Sequence, residues 1–146
     1  MKILIVQGPN LNMLGERDPA IYGSITMEQI NERVAQRAKE LGTQVEFFQS
    51  NSEGGLIDFL QRMAVTAQGI VINAGAFTHY SYALHDALLD TGLPVIETHL
   101  SNILARDEWR RRSVIAPATK GSVGGFGWRS YTAALDLLVA MVAEKK

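Results

Sequence analysis

The chain has no cysteine at all. Disulfide scaffolds, thiolate nucleophiles and cysteine-based metal centres are therefore excluded. An excess of one charge is also lacking. The 14 basic and 15 acidic residues leave a net charge of −1, so no global field draws the protein to nucleic acid or to a membrane. Long apolar runs are missing too. The opening MKILIVQGPN holds only the aliphatic run Ile3–Val6, too short for the apolar core of a signal peptide. No run approaches the about 20 residues that a membrane span needs. Repeats, linkers and low-complexity segments are absent from the pattern, and a soluble cytoplasmic protein is the expectation. At 146 residues and 47% apolar content, residues 1–146 are expected to form one domain able to bury a core.

What is present alternates between short aliphatic runs and amphipathic stretches. KILIV (2–6) reads as a strand buried on both faces. Met27, Ile30, Val34, Ala38 and Leu41 recur at helical spacing, with Thr26 and Gln29 able to form a capping box and Gly42 to end the helix. QVEFF (44–48) predicts the second strand, NSEGG a turn, and residues 56–67 a helix. GIVIN (69–73) predicts the third strand, residues 81–92 a helix, and LPVIETH (93–99) the fourth strand. ARDEWRRR reads as a charged helix, SVIAP (113–117) as the fifth strand, ATKGSVGGFGWRS as a glycine-rich loop, and the remainder as a final helix.

Strands that alternate with helices build a parallel sheet covered on both faces. At this length the expected fold is α/β: a flavodoxin-like three-layer sandwich of five strands in the order 2-1-3-4-5. Ligands of such sheets sit beyond the carboxyl ends of the strands, at the switch point between strands 1 and 3. That geometry gathers four segments around one crevice: GPNLNMLGERDPAIYG (8–23), NAGAFTH (73–79), ETHLSN (97–102) and the loop after strand five.

The first of these loops is longer than the two to six residues usual between a strand and a helix. Arg17 and Tyr22 lie in it between Gly15 and Gly23, which are placed as hinges of a lid. A phenol acting as a base must first give up its proton. One guanidinium at about 4 Å, in an effective dielectric of about 20, favours the phenolate by roughly 4 kcal/mol, and arginine cannot lose its own charge. A loop tyrosine that packs its ring, beside an arginine that caps a carbonyl, is the plainer alternative. Of the three histidines, His85 falls inside a helical pattern and reads as structural, whereas His79 and His99 follow strand ends. Glu97 shares a strand face with His99, so it can bind one ring nitrogen and set the tautomer. A zinc site from the two crevice histidines and a carboxylate is conceivable, but no recognised ligand spacing is present. Asn10, Asn12 and Asn73 are neutral donors at strand ends or loops. HLSN offers backbone N–H groups and the Ser101 hydroxyl as a carboxylate cradle. Arg106 and Arg110 stand four residues apart on the expected charged helix, as a solvated basic face or as anion-binding groups.

Together ILIVQGPNLNMLGERDPAIYG, INAGAFTHYSYALHDAL, PVIETHLSNILARDEWRRRSVIAP and GSVGGFGWRSYTAALDLL strongly resemble type II 3-dehydroquinate dehydratase, over nearly the whole chain. The resemblance implies a lyase that dehydrates 3-dehydroquinate in the shikimate pathway of aromatic amino-acid biosynthesis. It implies no metal, nucleotide or Schiff base, and a homododecamer arranged as a tetramer of trimers. By resemblance, Tyr22 is the general base and Arg17 holds it ionised. Asn12 holds a water at the enolate oxygen, and His99, oriented by Glu97, is the general acid. Asn73, the Leu100 and Ser101 amides and the Ser101 hydroxyl bind the carboxylate. His79 and Arg110 hold ring hydroxyls, and Asp86 reaches into a neighbouring subunit's site. The family often has proline where this chain has Ala74, so Asn73 is expected to be held less rigidly.

Two other readings share the topology. A signalling receiver domain needs an acidic cluster after strand one and an aspartate at the end of strand three, where this chain has Gly8-Pro9-Asn10 and Asn73. A flavodoxin-like electron carrier needs a Ser/Thr-rich phosphate loop after strand one, which GPNLN is not.

Overall fold

The computed structural model describes residues 1–145. The first aliphatic run forms β1 (Lys2–Gln7), whose side chains from Ile3 onward are buried. β2 (Gln44–Gln49), β3 (Gly69–Asn73), β4 (Val95–His99) and β5 (Gly121–Gly124) complete a parallel sheet in the expected order β2-β1-β3-β4-β5. Period-2 alternation divides the central strands between two cores. Leu4, Val6, Ile70 and Ile72 face α3 (Glu53–Met63) and α4 (Tyr82–Asp90). Ile3, Ile5, Val71 and Ile96 face α2 (Met27–Glu40) and α5 (Arg129–Glu144). α2 starts as predicted: Thr26 Oγ1 accepts from Gln29 N at 3.2 Å, and Gln29 Oε1 accepts from Thr26 N at 2.9 Å. Its buried stripe is Ile30, Val34 and Ala38.

Several segments differ from expectation. SVIAP is not the fifth strand. Val114 and Ile115 are buried against the α3–α4 core, and the chain then makes a 3₁₀ turn at Ala116–Ala118. The strand is instead GSVG within the glycine-rich loop, pairing Gly121 with Ile96 and Gly124 with His99. Burial therefore explains the apolar run, while strand pairing uses backbone groups that glycine supplies as well as valine does. ARDEWRRR is not an α-helix either. It lacks an apolar stripe to dock and forms 3₁₀ turns at Ile103–Ala105 and Glu108–Arg110, so Arg106 and Arg110 do not share a helix. NSEGG is less a turn than a helix start, since Ser52 caps α3 and Gly54 and Gly55 lie in its first turn. That helix ends at Met63, ahead of a 3₁₀ turn at Ala64–Thr66. An unexpected one-turn helix, α1 (Pro19–Tyr22), sits inside the long opening loop.

Candidate active site

The opening loop folds back over the carboxyl ends of β1 and β3. Gly15 (φ 96°) and Gly23 (φ 76°) turn the chain in a left-handed conformation that side-chain-bearing residues rarely adopt. Between them Asp18 accepts from Ala20 N at 3.0 Å, and Pro19 opens α1 with its pre-set φ. Tyr22 is the last residue of this turn. Its hydroxyl oxygen accepts from Arg17 Nη2 at 2.9 Å and from Arg106 Nη1 at 3.0 Å. The Arg17 guanidinium also lies 3.9 Å from the ring centroid. Two permanent cations thus face one phenol oxygen. Sequence reasoning anticipated the first. It did not pair Arg106 with Tyr22, which lies 84 positions away and is met from the turn at 103–105.

The opposite wall is β4. Glu97, 1% exposed, accepts from His99 Nε2 at 2.5 Å. It also accepts from Thr78 Oγ1 at 3.2 Å and from Ser113 Oγ at 2.8 and 3.0 Å. Because the carboxylate only accepts, Nε2 carries the hydrogen in this arrangement, and Nδ1 is the ring nitrogen that Glu97 leaves free. The i, i+2 pairing read from the sequence is therefore present. Its supports, Thr78 and Ser113, had no sequence signal: each comes from another segment and meets Glu97 only through the fold.

Asn73 ends β3 and is held at both ends of its amide. Oδ1 accepts from Gly75 N at 3.1 Å, and Nδ2 donates to the Tyr131 hydroxyl at 3.0 Å. Ala74 therefore does not leave Asn73 loose, contrary to the expectation from the missing proline ring. Gly8 packs against this turn so closely that a Cβ would meet the Ala74 carbonyl oxygen at 2.3 Å. The His79 ring pairs through Nδ1 with the Arg112 carbonyl at 2.8 Å, which makes Nδ1 the donor. Burial pushes its pKa below the usual histidine value. Trp109, exposed at the rim, sets its ring against His79 at 5.3 Å and carries the Arg110 guanidinium 3.9 Å above its face. Leu100 and Ser101 follow β4 directly. Their N–H groups make no turn or loop hydrogen bond among the described residues.

Tyr22, Arg17, Asn73, His79, His99 and Arg110 line one cavity of about 100 Å³, with Leu100, Ser101, Asn10 and Arg106. Of the other expected residues, Glu97 stands behind His99 rather than on the cavity wall, and two lie elsewhere. Asn12 is solvent-exposed beside Gln49. Asp86 is on α4, with its side chain 76% exposed and paired to His85 at 3.0 Å. A larger trough of about 1550 Å³ runs on the outer side of the lid between α1, α2 and α5. It shares Tyr22, Leu100, Ser101 and Arg106 with the small cavity but contains no histidine, so the phenol and the two crevice histidines converge only in the smaller one. No group of His, Asp and Glu suited to a metal ion occurs among the described residues.

Residues 1–139 match the family model described as dehydroquinase class II. The chain belongs to the class II dehydroquinases. This dehydroquinase is 52% identical to the 3-dehydroquinate dehydratase of Pelotomaculum thermopropionicum over 141 residues, covering 97% of this chain and 98% of the relative. It is 51% identical to that of Roseiflexus castenholzii over 139 residues, covering 95% and 88%. Among solved structures, the type II dehydroquinase of Butyrivibrio crossotus superposes with a TM-score of 0.92 at 44% identity, covering 94% of this chain and 97% of that one. The type II dehydroquinase of Propionibacterium acnes gives 0.91 at 39%, covering 95% and 96%. The flavodoxin-like α/β sheet of the dehydroquinase is thus the one these structures share. No helix among the described residues is long and apolar enough to cross a membrane.

Proposed function

We propose that this dehydroquinase converts 3-dehydroquinate to 3-dehydroshikimate and water, the third step of the shikimate route, in the cytoplasm. The observation that carries this reading is one crevice with a phenol bonded by two guanidinium groups on one wall and a carboxylate-held imidazole on the other. Dehydration of a β-hydroxy ketone needs a base at carbon, a place for enolate charge and an acid at the hydroxyl. Tyr22, as phenolate beside Arg17 and Arg106, takes the C2 proton, and the C–H electron pair moves into the C3 carbonyl to give the enolate. Asn12 holds a water against that oxygen once the lid region closes on substrate. The enolate then reforms the carbonyl, the C1–C2 double bond is made, and the C1 hydroxyl leaves as water with a proton from His99. Glu97 stabilises the imidazolium that this step requires. Asn73, the Leu100 and Ser101 N–H groups and the Ser101 hydroxyl hold the carboxylate, while His79 and Arg110 hold ring hydroxyls.

The working form is a dodecamer built from trimers, with Asp86 completing a neighbouring subunit's site. Asp86 projects from a helix face that also exposes Tyr82 and Leu89, a surface suited to cover by another copy. The test is to mix the protein with 3-dehydroquinate, adding no metal or nucleotide, and to follow the conjugated enone product by ultraviolet absorbance. Steady appearance of the band is expected. Folded, assembled protein that produces none would end the proposal.

A further inference from the structure

Gln7 and Asn73 are direct partners across the β1–β3 ladder. Both side chains leave the sheet on the face covered by α2 and α5, in phase with Ile3, Ile5 and Val71. Tyr131, in the first turn of α5 and 1% exposed, meets both. Its hydroxyl oxygen accepts from Asn73 Nδ2 at 3.0 Å, and the Gln7 side-chain amide beside it acts on that oxygen in the same sense. Gln7 Nε2 is already committed to Asn31 Oδ1 on α2 at 3.1 Å. Gln7 Oε1 is buried without a donor among the described residues, while the Tyr131 phenol proton has no other assigned acceptor. Burial raises Tyr131 to about 12, so the proton stays in place across the working pH range.

A phenylalanine would fill the same space in the core. The hydroxyl must therefore be explained by what it bonds, since an unpaired buried hydroxyl costs free energy. On Asn73, Oδ1 is used by Gly75 N and one Nδ2 hydrogen by Tyr131. That leaves a single amide hydrogen free for the crevice, in a direction set by the other two bonds.

We propose that Tyr131 is a positioning residue, its hydroxyl oxygen bridging the Gln7 and Asn73 side-chain amides so that the second N–H of Asn73 points at the substrate carboxylate. This rests on the carboxylate-binding role given to Asn73 above. The bridge acts on binding that is present equally in ground and transition states, so it changes KM and leaves kcat.

The test is a double-mutant cycle on the assembled enzyme with 3-dehydroquinate. Tyr131→Phe should raise KM about tenfold, the worth of one hydrogen bond to a charged group, with kcat within about twofold. Asn73→Ala should raise KM at least as much, and adding Tyr131→Phe to it should change KM no further. An unchanged KM in folded Tyr131→Phe, or the same fold-increase with and without Asn73, overturns the proposal. An unchanged KM in Asn73→Ala instead removes the carboxylate role itself, and the bridge with it. Should Tyr131→Phe not fold, Gln7→Met keeps the shape and removes the amide beside the Tyr131 hydroxyl. A severalfold rise in KM is then expected, and an unaltered KM overturns the inference.

Discussion

The two walls of the crevice are built on different principles. The His99 side belongs to the sheet: Glu97 is buried within β4 and takes donors from His99, Thr78 and Ser113, which lie on three separate segments. The Tyr22 side belongs to a loop, a single helical turn between two left-handed glycines, held through partly exposed arginines. An acid that must keep one tautomer gains from a rigid, water-free frame. A base that must meet a carbon acid after substrate has entered gains from a movable one. Stability and turnover should therefore be separable here by wall.

That separation fails if both walls respond alike to substitution. Tyr22→Phe should lower kcat about a thousandfold while the thermal midpoint and the substrate affinity, read by calorimetry, stay near wild type. A kcat within tenfold of wild type would remove the base from this residue. Glu97→Gln should lower kcat about a hundredfold and also lower the melting temperature by about 4 °C or more, because it places an amide N–H against the His99 N–H in a buried site. An unshifted midpoint would mean that the β4 wall is not the stabilising one. Arg106→Met should cost about tenfold in kcat with no change in melting temperature, and Arg17→Met at least as much, as expected of partly exposed cations that act through charge. Equal loss of stability in these variants would erase the contrast.

The weakest response concerns His79. Its pKa in the folded chain lies below the ordinary value of 6.5, mainly because burial disfavours the charged ring. Between the two values the unfolded chain binds more protons than the folded one. Stability is then complete above about pH 6.5 and falls as pH drops through the folded pKa. Thermal midpoints between about pH 7.5 and pH 5 should show this slope in the wild type and a shallower one in His79→Gln. Parallel slopes would assign the acid sensitivity to other groups.

Much of the scaffold was legible because local patterns and tertiary demands agree. The aliphatic runs 2–6 and 69–73 became central strands, and the Thr26 capping box formed as read. Reading failed where one local signal served another purpose. Val114 and Ile115 are apolar because they fill the α3–α4 core, not because they pair, whereas the actual edge strand hides among glycines. The same limit applies to the site. The pair Glu97 and His99 could be read from strand periodicity, and Arg17 with Tyr22 from one loop. Arg106, Ser113 and Tyr131 reach their partners from 84, 16 and 58 positions away, and no local pattern carries that distance.

The order of apolar and polar residues was enough to set the alternation of strand and helix, and hence the edge of the sheet at which chemistry must lie, because side-chain periodicity is a local property of the backbone. Which distant groups stand beside the crevice residues was decided in the folded chain alone: Arg106 on Tyr22, Thr78 and Ser113 behind Glu97, and the Tyr131 hydroxyl behind Asn73. Each depends on two distant segments meeting within about 3 Å, a distance that close packing of the whole molecule sets.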